Sequence, residues 1–117
     1  MTDFQRLVVV DLDRASVVRF VDRKIIDAAD IELMGAELLS LVDDQQKTNL
    51  LLNFEGVEFL SSAALNKLIT LNSHVKRAGG VVRLCNVHPQ IQEVFSLTRL
   101  DRMFDIMKSE ESALAKF

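Results

Sequence analysis

Several residue types are scarce in this chain, and each shortage excludes something. Cys85 is the single cysteine, so no internal disulfide can form and a thiolate zinc site lacks its ligands. That usage fits a reducing, cytoplasmic setting. Tryptophan and tyrosine are absent, and the aromatic share is 6%. Little of the aromatic lining of a small-molecule pocket is therefore on offer. One proline and four glycines leave no material for a low-complexity linker. No apolar run approaches the ~20 residues of a membrane helix, and "MTDFQR" lacks the charged-then-apolar order of a signal peptide. There is no basic block either. Fourteen Lys and Arg stand against 17 Asp and Glu, a net charge of −3. That balance argues against nucleic acid as a partner, and the lack of an apolar run argues against membrane insertion.

What is present reads as an ordinary globular protein. The 117 residues have length for one domain, spanning 1–117, with 49% hydrophobic and 26% charged residues. "RLVVVDL" (6–12) and "SVVRFVD" (16–22) are β-branched runs joined by a short turn, the pattern of an antiparallel hairpin. From Asp30 a helical period takes over at Ile31, Met34, Leu38 and Leu41, closing near "DDQQKT". "NLLLNF" (49–54) is apolar without alternation, as expected of a central strand covered on both faces. The helical period returns from about Ser62 at Ala64, Leu68, Leu71 and Val75, and ends at Gly79-Gly80.

"VVRLCNV" (81–87) is a further strand, and His88-Pro89 opens a helix with Ile91, Val94 and Phe95 on its apolar face. "MFDIM" (103–107) predicts a short edge strand and "SEESALAKF" a closing helix capped by Ser109. The order is ββαβαβαβα: an α/β domain with a mixed sheet of about five strands and about four helices packed against it.

Catalytic constellations are hard to find. Gly79-Gly80 is in the wrong order for a phosphate loop, which follows a strand and opens a helix, so the pair predicts a helix C-cap. His74 and His88 share no metal-ligand spacing with each other or with an acidic cluster, which predicts a surface histidine and a cap. Cys85, among Val and Leu on a strand, predicts a buried thiol. With no acid, base and oxyanion site in a workable arrangement, the chain predicts a non-enzyme that needs no cofactor. A small-ligand binding domain or an enzyme is the rival reading from another class.

"VEFLSSAALN" (57–66) is the stretch that stands out, with two serines where extended chain turns helical and only methyl side chains behind them. Ser62, where the helix is expected to begin, either caps it by accepting from unpaired backbone N–H groups or shows its hydroxyl to a partner. "NLLLNFEGVEFLSSAALNKLI" and "VKRAGGVVRLCNVHPQIQEVFSLTRLDRMFDI", with "ADIELMGAELLSLVDD" upstream, resemble the STAS domain family, the anti-sigma-factor antagonists of bacteria and the related domain of sulfate transporters. The resemblance implies a central strand, a turn, and a helix beginning at a regulatory serine.

The pattern of the phosphorylated antagonists at this turn is Asp-Ser-Ser/Thr-Gly, with the first serine accepting phosphate. Laid on "SSAA", it puts Ser61 at the aspartate, Ser62 at the acceptor, and Ala63 and Ala64 at the last two positions. The family's other acidic residue falls on Asp27. By resemblance, Asp27, Ser61, Ser62, Ala63, Ala64 and Asn66 form the partner-binding surface, and Ser62 is the phosphorylation site. The implied partners are an anti-sigma factor that is a serine kinase and a PP2C-type phosphatase. The implied role is a cytoplasmic, non-catalytic switch in transcription regulation, acting as a monomer or weak dimer. The alternative within the family is a non-phosphorylated STAS scaffold in a stress-sensing assembly or beside a lipid transporter, which loss of the aspartate at position 61 favours.

Overall fold

The computed structural model describes residues 4–117. Residues 1–3, which hold half of "MTDFQR" and the start of the expected domain, lie outside the described residues. Strands β1 (Leu7–Asp11) and β2 (Ser16–Phe20) form the expected antiparallel hairpin, closed by a bond from the Leu12 N–H to the Ala15 carbonyl. Strands β4 (Asn49–Asn53), β6 (Val81–Cys85) and β7 (Asp105–Met107) add in parallel, giving a five-stranded sheet in the order β1-β2-β4-β6-β7.

Strand β4 is central, and its apolar run has the predicted cause. Leu50 and Leu52 enter one core and Leu51 the other, each 0% exposed. Helices α1 (Ala28–Asp43), α2 (Ser62–Arg77) and α3 (Pro89–Leu97) bury their stripes in the larger core. The short helix α4 (Glu110–Leu114), capped by Ser109, lays Ala113 over Val17, Leu51 and Cys85 on the other face. Glu110 fastens it there by accepting from Asn53 Nδ2 (3.0 Å) and pairing with Arg19 (3.1 Å).

Three details differ from the sequence expectations. A second, two-stranded parallel ladder joins β3 (Lys24–Ile25) to β5 (Phe59–Leu60), pieces too short to carry a period. Helix α1 begins at Ala28 rather than Asp30, because Asp27 caps it by accepting from the Asp30 N–H at 3.0 Å. A 3-10 turn, Leu100–Arg102, precedes β7 and shortens the predicted edge strand.

The end of α2 is as expected. Gly79 takes φ +82, its N–H bonds to Lys76, and the Gly80 N–H reaches back to Val75, the two bonds of a Schellman cap. Gly80 also has to be glycine, since a Cβ there would lie 1.8 Å from the Thr48 carbonyl oxygen.

Candidate functional site

The small ladder positions the site. Ile25 pairs with Leu60, and two residues past Ile25 is Asp27, the cap of α1; one past Leu60 is Ser61. The Ser61 N–H donates to the Ile25 carbonyl at 3.1 Å, which ties the start of α2 to the chain just before α1. From this common origin α1 and α2 run side by side in the same direction, bridged by Glu32–Lys67 (3.1 Å) and Asp43–His74 (3.2 Å). Gly35 lies under this contact, and a Cβ there would lie 2.7 Å from the Lys67 side chain, which would have to shift. Two helix N-termini, each with unpaired backbone N–H groups and a positive dipole end, therefore open on the same patch of surface.

The two serines divide the labour differently from the expectation. Ser61, not Ser62, is the cap: it has extended backbone and its Oγ accepts from the Ala64 N–H at 3.3 Å. Leu60 before it and Leu65 four residues into the helix are both buried, the pairing of a hydrophobic staple. Ser62 is the first helical residue, exposed, and its hydroxyl makes no hydrogen bond among the described residues. One hydroxyl is occupied by the fold, and the next is free.

The remaining predicted residues separate in the same way. Asp27, Ala63 and Asn66 are exposed. Asn66 lies one turn beyond Ser62 on the same side of α2, and its carbonyl accepts from Thr70 Oγ1 at 3.0 Å. Ala64 does not belong to this surface. It is 0% exposed in the main core, because it begins the buried stripe of α2. Its smallness lets the helix pack inward and gives a partner nothing to touch.

An apolar groove beside the serines is absent from the sequence reading. It encloses about 210 Å³ between the start of α2 and α3, with Leu60, Leu65 and Ile91 at its base and Phe59 and Val94 at its rim. Phe59 is half-exposed and Val94 is also open to solvent, so Val94 is no part of the buried face of α3 that Ile91 and Phe95 form. Leu97, further along α3, is 77% exposed. The signal in the sequence was the alternation in β5, which must turn Phe59 outward if Leu60 turns in.

The other singled-out groups are structural. His88 caps α3, its Nδ1 accepting from the Gln90 N–H at 3.1 Å, and His74 faces Asp43. Cys85 is fully buried, and burial pushes its thiol up to about 11, far from a reactive thiolate. Among the described residues no group of three or more His, Cys, Asp and Glu could hold a metal ion. No helix among them is long and apolar enough to cross a membrane.

The model of the STAS domain matches residues 6–113, a span that contains both ladders, helices α1 to α3 and all but the last residue of α4. The chain belongs to the STAS family. It is similar to BtrV of Bordetella bronchiseptica, which carries the name of an anti-sigma factor antagonist, at 27% identity over 80% of this chain and 79% of that protein. Among solved structures, a STAS domain protein from Planctomyces limnophilus, also titled an anti-sigma-factor antagonist, superposes with TM-score 0.84 and 25% identity, over 94% of this chain and 96% of that one. Bacillus SpoIIAA in its phosphorylated form shares the fold at TM-score 0.72 and 20% identity, over 94% of this chain and 97% of that one. The STAS architecture accounts for the mixed five-stranded sheet and the four helices.

Proposed function

We propose that this STAS domain is an anti-sigma-factor antagonist that works as a non-catalytic, protein-binding switch in the cytoplasm. In its unmodified form it binds an anti-sigma factor that is itself a serine kinase, and so frees the sigma factor. Phosphorylation of Ser62 by that kinase ends the complex, and a PP2C-type phosphatase restores it. The observation that carries this reading is the free, exposed hydroxyl of Ser62 beside a serine already committed to the cap. Asp27, Ser61, Ala63 and Asn66 surround it on the docking face, and the apolar groove next to it offers a foothold for a partner side chain.

The physics of the turn supports reversible modification. A phosphate adds roughly −1.5 to −2 charges, and the adjoining starts of α1 and α2 both favour an anion. The domain should tolerate the group while its partner does not. In keeping with that, the fold matches SpoIIAA in its phosphorylated and unphosphorylated forms almost equally, with TM-scores of 0.72 and 0.71.

Incubation with the cognate kinase and ATP should add one phosphate at Ser62 and none at Ser61, read by mass spectrometry. Ser62→Ala should lose the phosphate yet keep binding, because an exposed hydroxyl without partners contributes little. Ser62→Asp should fold normally but bind more weakly, since like charges pressed together across an interface cost several kcal/mol. Phosphate at another residue, or undiminished binding by Ser62→Asp, would remove Ser62 from the mechanism. The scaffold reading, which Ser61 in place of the family aspartate favours, would then take over.

A further inference from the structure

Asn72 interrupts the apolar face of α2. It is 6% exposed, between the buried Leu71 and Val75, yet its carboxamide makes no hydrogen bond to any described residue. The amide itself is not sealed from solvent, since the buried side-chain polar atoms without a partner among the described residues are Arg6 Nε and Arg83 Nε, so the Asn72 carboxamide is open to bond what enters from outside. The little exposure Asn72 keeps opens into a cleft of about 230 Å³ in the second half of α2, away from Ser62.

The cleft exists because β6 outruns its neighbour. The ladder to β7 begins only at Arg83, so Val81 and Val82 pass along the cleft floor with no strand beside them on that edge. Asn72 and Lys76 of α2 form one wall, and Asp101 and Arg102 of the 3-10 turn form the other. Asp105 also borders it, but that carboxylate pairs with Arg83 at 3.4 Å. Lys76, Arg102 and Asp101 take part in no ion pair among the described residues. Two cations and one carboxylate without an ion pair among the described residues thus line the same cleft.

We infer that this cleft binds a small polar molecule carrying a carboxylate or phosphate. Lys76 and Arg102 hold the anionic group, the Asn72 carboxamide reads a neighbouring carbonyl or hydroxyl, and Asp101 accepts from a hydroxyl or ammonium of the ligand. The volume lies below the ~300–1,000 Å³ of sites for drug-sized ligands, which limits the occupant to a small metabolite.

The test is a ¹⁵N NMR titration of the whole chain with inorganic phosphate and, separately, with malonate, succinate and glutarate, each against sodium chloride at matched ionic strength. At least one probe should move the Asn72 side-chain amide signals saturably, and comparing the arms separates phosphate from carboxylate. Lys76→Gln, a change on the exposed wall, should weaken that probe at least tenfold. Asn72→Leu, a change of similar volume, should abolish binding while the unliganded protein still unfolds in one cooperative transition. Shifts no larger than those of chloride, or undiminished binding by Lys76→Gln, would overturn the inference. So would undiminished binding by Asn72→Leu.

Discussion

The division between Ser61 and Ser62 can be measured without any partner. Ser61→Ala removes the oxygen that accepts from the Ala64 N–H, leaving that donor short of a partner at a half-buried helix start. Loss of a serine cap costs about 0.5–2 kcal/mol. The 3.3 Å bond is long, which places the expected cost in the lower half of that range. Ser62→Ala removes a hydroxyl with no partner at an exposed helical position, where alanine is the better helix former, so its effect should lie within about ±0.5 kcal/mol. With a urea slope of ~1–3 kcal/mol/M, Ser61→Ala should lower the urea midpoint by roughly half a molar while Ser62→Ala leaves it in place. Equal shifts, or a larger loss in Ser62→Ala, would return the cap to Ser62 and undo the argument that its hydroxyl is free.

Two further outcomes follow from the packing and the charges. Leu68 is 1% exposed in the main core, so Leu68→Ala should destabilise the domain by ~2–5 kcal/mol in denaturant unfolding; an unchanged midpoint would put Leu68 at the surface. The Glu110 carboxyl is held below its ordinary value, first by the bond from Asn53 and then by Arg19, against the opposing effect of burial. A lowered folded-state pKa gives stability that is present above the unfolded value of ~4.3 and lost as pH falls through the folded value. The stability lead of the native protein over Glu110→Gln should therefore be greatest above about pH 5 and shrink on acidification. A lead that does not change with pH would mean that the carboxylate plays no part in holding α4.

The sheet and the three long helices were legible because their residues obey one period over enough length. Ile31, Met34, Leu38 and Leu41 of α1 are all buried, as are Leu50, Leu51 and Leu52 of β4. The ladder of Lys24–Ile25 and Phe59–Leu60 was not legible, since two residues define no period and the pairing spans distant parts of the chain. That omission had consequences for the site, because this ladder is what brings Asp27 beside Ser61. The cap was misplaced by one residue for a different reason. Either serine suits a helix start, and only the framing leucines decide: Leu60 and Leu65 form a staple around Ser61, whereas a cap at Ser62 would set Ser61 against Asn66. Ala64 was legible as core from its helical spacing, and the family pattern drew it into the surface against that signal. Asn72 carried no sequence signal, because a lone asparagine in a helix announces neither its burial nor its missing partner.

The departure at position 61 now has a physical reading. Aspartate and serine are comparable helix caps, so replacing the family's aspartate by Ser61 leaves the fold unharmed. What changes is charge. An aspartate at the cap would set a carboxylate directly before the acceptor serine, and a phosphate arriving there would meet its repulsion. Here the preceding residue is neutral, and the carboxylate of Asp27 at the start of α1 already accepts from the Asp30 N–H. A phosphate on Ser62 would therefore face two helix N-termini with less opposing charge than the family pattern provides. In the switch reading, the unmodified surface loses a carboxylate that a partner's cation would otherwise hold, while the phosphate becomes the dominant negative charge on the docking face. On the proposed switch, Ser61 would leave less permanent charge on the docking face and a larger contrast between the two states of Ser62.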